Sequence, residues 1–298
     1  MDSSDEGETG NYRSSHLLFS FFLIVLLAAC TPGQRKQPAP VTPPAPPVTA
    51  QKTDTTQPDS SVAPARTVKK IYLTFDDGPN KGTLHVLRIL QQKGIRASFF
   101  IVGKHVYDSP QQSAAWDTLR MDTMMDRCNH SYTHANNRYS KFYSNPEGVV
   151  ADIQQAAGQP GFTNRVVRMP GRNAWRIGKI RVTDIRESKR AIDSVAAAGF
   201  DVMGWDIEWM FDHRTLAPDT ATSLLLRRIR NMLDAGTTRT PGHLVLLAHD
   251  QVFYNAASQQ LLLDFLAALG KNEDYEFVVA SRYPGLRPYP IAMPGSAR

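Results

Sequence analysis

Short apolar runs alternate with amphipathic segments along most of this sequence. Residues 83–93 repeat leucine on one side of a helix, and Gly94 provides a stop. The apolar run that follows, at 96–103, indicates a buried strand. The same patterns predict further helices at 189–198, 220–235 and 257–269, and further strands at 200–205, 243–248 and 275–280.

This alternation of strands and helices also predicts the fold class. Strands separated by helices are typical of βα units, in which successive strands run parallel and the helices cover the sheet. We therefore predict an α/β fold with a mostly parallel sheet that is closed, or nearly closed, into a barrel. The sequence contains no internal repeat.

The N-terminal part of the chain has a different character. Residues 17–29 are apolar except for Ser20, and about 13 residues are too few to span a bilayer comfortably but suit the core of a signal peptide. The string LAAC at 27–30 resembles the bacterial lipobox, whose cysteine becomes the acylated first residue. We expect a lipoprotein signal peptide over 1–30 that ends at a lipidated Cys30; the alternative is an uncleaved anchor helix.

Residues 31–66 are rich in Pro, Thr, Ala and Gln and contain almost no large apolar side chain. Such a segment cannot bury enough apolar area to fold, and its prolines favour an extended chain. We predict a disordered tether here and a folded catalytic domain over 67–298. A lipid on Cys30 would attach the chain to a membrane, so we expect a cell-envelope location, on the outer membrane or periplasmic face in a Gram-negative host.

Charge and cysteine content exclude some classes of protein. The net charge is +6, both signs are scattered, and no Lys/Arg block is longer than the pairs at 69–70 and 227–228. A nucleic-acid groove is therefore not indicated. With Cys30 lipidated, Cys128 has no partner, so we expect no structural disulfide. We expect a monomer.

The first candidate for chemistry is the string TFDDGP at 74–79, which follows the apolar residues 71–73. It indicates a strand that ends in a tight turn, and α/β folds place their chemistry at such strand ends. Adjacent strand side chains point in opposite directions unless the turn redirects one of them. Asp76 and Asp77 thus suit one base beside one metal ligand, or alternatively a polar turn with a capping aspartate.

The second candidate is the string NHSYTH at 129–134. Two imidazoles four residues apart share one face of a helical turn, and a carboxylate from elsewhere would complete a metal site of two histidines and one carboxylate. The alternative is a solvated helical face. The presence of Asp76 and Asp77 favours the metal site.

Two further strand ends carry titratable side chains. Arg168 follows the short run RVV at 165–167, and an arginine there can hold a carboxylate in its ionised form or can simply be solvated. The apolar run 245–248 ends at His249. A histidine at a strand end can act as a general acid, whereas one inside a strand is more often a core residue.

The string WDIEW at 205–209 combines two indoles with two acids. Trp205 and Trp209 suit an apolar wall facing a sugar, and Asp206 or Glu208 suits a carboxylate that orients a histidine. A half-buried edge strand would produce the same alternation.

These five stretches, in this order, resemble the NodB-homology polysaccharide deacetylases, a family of metal-dependent carbohydrate esterases with a distorted (β/α) barrel. The resemblance extends over about residues 70–280 and includes the apolar string ASFFIVG of the second strand. It implies that Asp77, His130 and His134 bind a divalent metal, usually zinc. A metal-bound water would then be the nucleophile that attacks the acetamide carbonyl.

The resemblance also assigns the remaining roles. Asp76 would be the general base, Arg168 its electrostatic partner, and His249 the general acid that protonates the departing amine. Leu247 would line a small apolar pocket for the acetyl methyl group.

Two departures from the family pattern concern the substrate side of the site. The family usually has an aromatic residue between the positions of Pro170 and Gly171, so the loop that supplies an oxyanion donor is shaped differently here. In the fourth motif, the residues 211–212 read Phe-Asp where the family has Asp-Trp. The acid that orients His249 is therefore left open between two candidates, Asp206 and Glu208.

The sequence thus predicts a hydrolase that removes N-acetyl groups from an envelope or extracellular polysaccharide of the peptidoglycan or poly-N-acetylglucosamine type. One alternative is an O-acetyl esterase or small-amide hydrolase of the same fold. The other is a non-catalytic lipoprotein that binds polysaccharide through Trp175, Trp205 and Trp209.

Overall fold

The computed structural model of the protein describes residues 67–288. The expected signal peptide, the lipidation of Cys30 and the tether lie outside these residues, as do the last residues of the expected catalytic domain. Within 67–288, no helix has the length and apolar character needed to cross a membrane.

An incomplete barrel of mostly parallel strands forms the centre of the described domain. The strands are β1 (Lys69–Gly78), β2 (Ala97–Ile101), β3 (Met125–Asn129), β4 (Val166–Val167), β5 (Ala174–Ile177), β6 (Ile180–Thr183), β7 (Asp201–Val202), β8 (Ile207–Glu208), β9 (His243–His249) and β10 (Tyr275–Phe277). Their order is β6-β5-β7-β4-β3-β2-β1-β9-β8, and β10 pairs with the start of β1. Only β5 pairs antiparallel, with β6 and with β7, among the strands of this region. The predicted α/β barrel is confirmed.

Seven α-helices accompany this sheet in the described residues. They are α1 (Thr83–Lys93), α2 (Pro110–Met121), α3 (Tyr139–Tyr143), α4 (Pro146–Ala157), α5 (Lys189–Ala197), α6 (Thr222–Asp234) and α7 (Ala256–Leu269). The four predicted helices are confirmed as α1, α5, α6 and α7. The helix α1 ends as expected, because Gly94 adopts the left-handed conformation with φ of 63°.

The helices α2, α3 and α4 were not predicted from the sequence. A signal for α4 is nevertheless present, because Asn145 accepts a hydrogen bond from the backbone N–H of Gly148 and Pro146 occupies the first helical position. The helix α2 has the same arrangement at Ser109 and Pro110. In both helices only three or four side chains are buried, so the apolar period is weak.

Alternate residues of the strands divide between the two faces of the sheet. In β1, Ile71, Leu73 and Phe75 belong to a core shared with α1, α6 and α7 on the outside of the barrel. The intervening Tyr72 packs inside the barrel with apolar side chains from the other strands: Phe100, Cys128, Trp175, Met203 and Val245. At the carboxyl ends of the strands, the residues that continue the inward-facing alternation of Tyr72 therefore face the mouth of the barrel.

The strand predicted over 200–205 contains only β7. At Gly204 the chain lies against a neighbouring loop, where a Cβ atom would be 2.1 Å from the side-chain oxygen of Asn173. That oxygen accepts the backbone N–H of Trp205, and the amide group of Asn173 donates to the carbonyl of Trp205. Side-chain hydrogen bonds therefore replace the strand ladder at this point.

Candidate active site

A break in the register of β1 brings both aspartates of the first motif to the same place. The pairing of β1 with β2 shifts between Asp76 and Gly78, and Asp77 has a φ of 71°. Asp76 continues the inner face of the strand. The bulge turns Asp77 toward that face as well, so two neighbouring carboxylates reach one site.

The two histidines of the second motif lie on a loop, and the predicted helical turn is wrong. His130 follows the last residue of β3, and the chain then reverses through Ser131 and His134, whose φ angles are 67° and 50°. The rings nevertheless approach each other, with centroids 5.0 Å apart. Left-handed backbone, which a residue pattern does not reveal, replaces the helix.

Asp152 of α4 fixes this histidine loop. Its carboxylate accepts the backbone N–H groups of Tyr132 at 2.9 Å and of Thr133 at 3.2 Å. Sequence analysis did not single out Asp152, because a surface aspartate on a helix carries no distinctive pattern.

Asp77, His130 and His134 form a compact group whose ligand atoms lie within 4.8 Å of one another. Oδ1 of Asp77 is 3.1 Å from Nε2 of His134 and 3.4 Å from Nε2 of His130. That oxygen is buried and accepts no well-formed hydrogen bond from the described residues. Nδ1 of His130 lies 2.9 Å from the carbonyl oxygen of Arg168, which fixes the proton on Nδ1 and turns the Nε2 lone pair toward Asp77.

These three residues therefore fit a divalent cation. Lone pairs that face each other at about 3 Å need either a shared proton or a positive ion between them, and two histidines with one carboxylate are a set that zinc accepts. Burial alone would raise the pKa of Asp77, but the imidazoles of His130 and His134 bring it well below its usual range. Burial likewise opposes charge on His130, yet the carboxylates of Asp76 and Asp77 raise its pKa.

Arg168 lies fully buried inside the barrel and forms an ion pair with Asp76. Its Nη1 donates to Oδ1 of Asp76 at 2.7 Å and to Oγ1 of Thr74 at 2.9 Å. The remaining guanidinium groups donate to the carbonyls of Met203 and Gly204. The buried charge thus has a counter-charge and a full set of acceptors. Oδ2 of Asp76 is directed to the histidines and lies 3.6 Å from Nε2 of His130.

His249 ends β9 at the mouth of the barrel, with Nε2 3.9 Å from Oδ2 of Asp77. Its Nδ1 is buried and has no hydrogen-bond partner in the described part of the chain. Asp206, one of the two acids predicted to orient His249, is not its partner. The two oxygens of Asp206 accept the backbone N–H groups of Arg239 at 2.7 Å and of Val245 at 2.8 Å. This carboxylate holds the chain before β8 against β9, and the structure contradicts its predicted role.

Glu208, the other candidate acid, lies closer to His249. Glu208 pairs in register with Leu247 on β9. Leu247 lies two residues before His249, so the side chains of all three residues are on the same face of the sheet. Burial raises the pKa of Glu208, the positive charge of His249 lowers it, and the charge of Asp76 adds to the rise. Glu208 therefore shares the electrostatic environment of the site, although it does not bond to Nδ1 of His249.

The two indoles of the fourth motif have different positions. Trp209 is 3 % exposed and packs in the outer core against Phe253 and Phe265, with ring centroids 5.5 and 4.7 Å away. Its Nε1 donates to the carbonyl of Thr220. Its predicted role as a wall facing a sugar is wrong, because Trp209 has the parity that points away from the barrel interior. Trp205 is partly exposed, and its ring lies 5.8 Å from Cζ of Arg168.

Phe211 places an aromatic ring beside His249, a role to which the sequence had not assigned this residue. Its ring centroid is 4.9 Å from that of His249, and the loop that carries it is closed by a bridge between Phe211 and Pro218. The next residue, Asp212, accepts the backbone N–H groups of Arg214 and Thr215 and stabilises the turn.

Tyr139 of α3 occupies the space beside the Pro170–Gly171 loop. Gly171 has a φ of 60°, and a Cβ atom there would lie 3.0 Å from the ring of Tyr139. The same ring meets the ring of His134 edge-on at 5.9 Å. Tyr139 of α3 thus provides an aromatic ring beside the third motif, which has no aromatic residue between Pro170 and Gly171. The carbonyl of Pro170 accepts a 2.6 Å hydrogen bond from the hydroxyl of Tyr143, which fixes the loop.

Leu247 is 2 % exposed and lies on the inner face of β9, in register with Thr74 on one side and Glu208 on the other. It lies two residues before His249 on β9, so the two side chains point to the same face of the sheet. The side chain is apolar and adjoins the polar groups of the site.

Comparisons with known proteins agree with this architecture. The family model for polysaccharide deacetylase matches residues 63–173. A peptidoglycan-N-acetylglucosamine deacetylase of Bacillus cereus is 27% identical over 215 residues, which are 70% of this chain and 68% of that protein. A putative polysaccharide deacetylase of Bacillus subtilis is 25% identical over 187 residues, and the match spans 61% of this chain and 58% of that protein, which is less than two thirds of its length.

Two solved structures share the fold. The catalytic domain of a peptidoglycan N-acetylglucosamine deacetylase from Eubacterium rectale superimposes with a TM-score of 0.53 at 18% identity, covering 75% of this chain and 94% of that one. A CE4 esterase from Streptococcus mutans gives a TM-score of 0.51 at 23% identity, with coverages of 72% and 87%. At these identities the likeness concerns the fold alone.

Proposed function

Because the chain belongs to the polysaccharide deacetylase family, we propose that it is a metal-dependent hydrolase that removes N-acetyl groups from an envelope or extracellular polysaccharide. The observation that carries the proposal is the grouping of Asp77, His130 and His134 within 4.8 Å, with Asp76 and His249 beside them. The Bacillus cereus relative is a peptidoglycan-N-acetylglucosamine deacetylase, which supports a polymer of N-acetylated sugars as the substrate.

In this proposal Asp77, His130 and His134 hold a divalent ion, and zinc suits the donor set best. When bound, such an ion supplies positive charge that makes water a better nucleophile and polarises the carbonyl to be hydrolysed. Asp152 contributes by holding the backbone of the loop that carries both histidines.

Asp76 is the general base in this mechanism. Its Oδ1 is held by Arg168, so its Oδ2, which faces the histidines, is the oxygen that accepts the proton of the attacking water. Because Arg168 is rigidly bonded to four acceptors, the carboxylate keeps one orientation.

His249 is the general acid. Its Nε2 faces Asp77 from the neighbouring strand β9 and donates the proton to the departing amine, which would otherwise be a poor leaving group. Leu247 and Phe211 form the apolar surface beside His249, which suits the acetyl methyl group.

A second candidate function is hydrolysis of an O-acetyl ester by the same residues. The observation that favours it is the buried Nδ1 of His249, which accepts or donates no hydrogen bond within the described residues. Without a carboxylate on Nδ1 the imidazolium is less strongly stabilised. An alkoxide leaves with less help from an acid than an amine does, so esters would tolerate this arrangement better.

The non-catalytic alternative loses its basis in the structure. It relied on three indoles that bind a polysaccharide, but Trp175 is fully buried inside the barrel and Trp209 is buried in the outer core.

Acetate release by the full chain, with zinc and with a chelator in parallel, tests the proposal. We expect chelator-sensitive release from N-acetylglucosamine oligomers and a loss of release in Asp76→Asn. Release from acetylated xylan alone would replace the amidase by the esterase. No release from either substrate by the zinc-loaded protein would refute both.

We further propose that the chain is a lipoprotein, with a signal peptide over 1–30, a lipid on Cys30 and a tether over 31–66 that leads to the domain at 67–298. The apolar run, the LAAC string and the Pro-rich composition support this. Cys30→Ala should move the protein from the membrane fraction to the soluble fraction and abolish labelling by a radioactive fatty acid. Retention of label in the variant would contradict the assignment.

A further inference from the structure

An open cavity of about 530 Å³ adjoins the histidine loop. Its volume lies within the range of small-molecule binding pockets, ~300–1,000 Å³. Thr133 and Ala135, the two chain neighbours of His134, both line it. The rest of its wall comes from the loop and the first turns of α3 and α4 that follow. The cavity therefore lies against the turn that carries His134.

The backbone between the site and the cavity has an unusual conformation. Four consecutive residues, 134–137, have left-handed φ angles of 50°, 55°, 46° and 58°, and none of them is glycine. L-residues rarely adopt this conformation, even singly. This turn directs His134 to the metal-binding group while Asn136 lines the cavity. The metal-binding group and the cavity thus share one turn.

The cavity is positively charged. Arg138 and Lys141 line it, both are exposed, and neither forms an ion pair with a residue in 67–288. The only acid in the lining is Asp152, and its carboxylate already accepts the backbone N–H groups of the histidine loop. An anionic ligand would therefore meet two cations and no unengaged carboxylate.

The uncharged part of the lining suits a sugar ring. Phe142 offers an apolar surface for the C–H groups of a pyranose. Asn136 and Asn145 contribute amide groups, and the oxygen of Asn145 is used by the N–H of Gly148, which leaves its amide protons for a ligand. Apolar surface, amide donors and cations together match a sugar that carries a carboxylate.

We propose that this cavity binds a carboxylate-bearing sugar of the glycan chain, next to the sugar that loses its acetyl group. The inference rests on the proposed function, because it places the reacting sugar at Asp77 and His134. The carboxylate has two possible sources, the lactyl ether of a muramic-type sugar or the acid group of a uronic acid. The enzyme would then prefer an anionic N-acetylated glycan to a neutral one.

Equilibrium binding to the metal-free full chain tests the inference without turnover. The probes are three tetrasaccharides: neutral chitotetraose, a peptide-free peptidoglycan tetrasaccharide whose muramic residues keep free lactyl carboxylates, and a hyaluronan tetrasaccharide with glucuronate. We expect one of the two anionic probes to bind about fivefold tighter than chitotetraose, on the order of 1 kcal/mol. The anionic probe that binds tighter identifies the source of the carboxylate. Raising the salt concentration should reduce the preference, since exposed charges are screened.

The double variant Arg138→Gln with Lys141→Gln should lose this preference and keep its affinity for chitotetraose. The matched control is Arg227→Gln with Arg228→Gln, an exposed pair on α6 that removes the same charge outside the cavity. Equal affinities of the wild-type protein for all three probes would overturn the inference, and so would an unchanged preference in the cavity variant. Loss of preference in the control variant would also overturn it, because net charge alone would then explain binding.

Acetate release by the zinc-loaded protein separates this inference from the proposed function. A binding preference with no release from any of the three probes would refute the deacetylase function and leave the anionic site established. Release without any preference would retain the function and remove the site.

Discussion

Nη1 of Arg168 donates a 2.7 Å hydrogen bond to Oδ1 of Asp76, and both side chains are buried in the mouth of the barrel. This pair connects the stability of the domain to its chemistry. Arg168 is fully buried, so solvent cannot replace a lost partner. Among the described residues, no other basic group lies as close to the carboxylate of Asp76 as Arg168 does.

Arg168→Met should strongly destabilise the protein. It leaves the carboxylate of Asp76 buried without its counter-charge, and removal of one partner of a buried ion pair costs about 3–5 kcal/mol. Urea unfolding measures the change. Asp76→Asn should cost less, because the amide oxygen still accepts from Arg168, yet acetate release should fall at least a hundredfold since the base is lost. Equal loss of stability in both variants would contradict this assignment of roles.

Asp250 should make the stability of the metal-free protein depend on pH. Burial raises the pKa of Asp250 to about 7, although hydrogen bonds from Thr83 and Asn80 oppose the rise and the charge of Asp77 adds to it. The folded state then binds a proton that the unfolded state releases above its ordinary pKa of 3.8. The contribution of Asp250 to stability should therefore decrease as pH rises from about 4 to about 7 and change little above that, with a total on the order of a few kcal/mol.

Urea unfolding at pH 5 and pH 8 checks this dependence. In Asp250→Asn the part due to this carboxyl should vanish, while the parts due to other groups whose folded pKa is raised, such as His130 and Glu208, remain. An unchanged difference between the two pH values in the variant would show that another group is responsible.

Gly171→Ala should be more costly than Gly94→Ala. Both glycines have nearly the same positive φ, 60° and 63°, so the backbone strain is matched at about 1 kcal/mol. Only at Gly171 does the new Cβ meet a neighbour, the ring of Tyr139 at 3.0 Å, whereas at Gly94 nothing lies within 4 Å. Thermal unfolding gives the difference.

Displacement of Tyr139 also moves a ring that touches His134, so Gly171→Ala should lower acetate release while Gly94→Ala does not. Equal stability and equal activity in the two variants would mean that the ring of Tyr139 moves aside without a loss of stability or of acetate release.

Trp209→Ala should mainly reduce stability, whereas Trp205→Ala should mainly weaken substrate binding. Trp209 fills the outer core, so its truncation should cost about 3–5 kcal/mol and leave KM unchanged at a temperature where the variant is folded. Trp205 is partly exposed at the mouth of the barrel, so its truncation should raise KM for oligosaccharides with a smaller loss of stability. Denaturant unfolding and steady-state kinetics on the same preparations decide between the two outcomes.

Sequence analysis located most of the regular structure because its signals are local. The period of α1 with Gly94 behind it, and the apolar runs of β2 and β9, need only neighbouring residues to be recognised. The hairpin of β5 and β6 escaped because each strand has only four residues and β5 contains the charged Arg176, so neither strand shows a clear apolar pattern. Such short strands are defined by their pairing more than by their composition.

The residues of the site were named from the sequence, but their arrangement depends on long-range structure. The sequence itself placed two carboxylates, an arginine and a histidine at strand ends, and it grouped two further histidines in one short string. Parallel βα units bring strand ends to one edge of the sheet. The sequence also determined the left-handed stop of α1 at Gly94, where the absence of a Cβ is a local property.

Only the tertiary structure decided which side chain faces which. Asp206 lies where its oxygens meet two backbone N–H groups of the β9 region, while Glu208, two residues on, faces the site. Trp209 turns into the outer core because β8 pairs with β9 in one register, and a shift by one residue would exchange the two faces. The register between β8 and β9, whose paired residues are distant in sequence, is set by packing, for which no short string in the chain provides a signal.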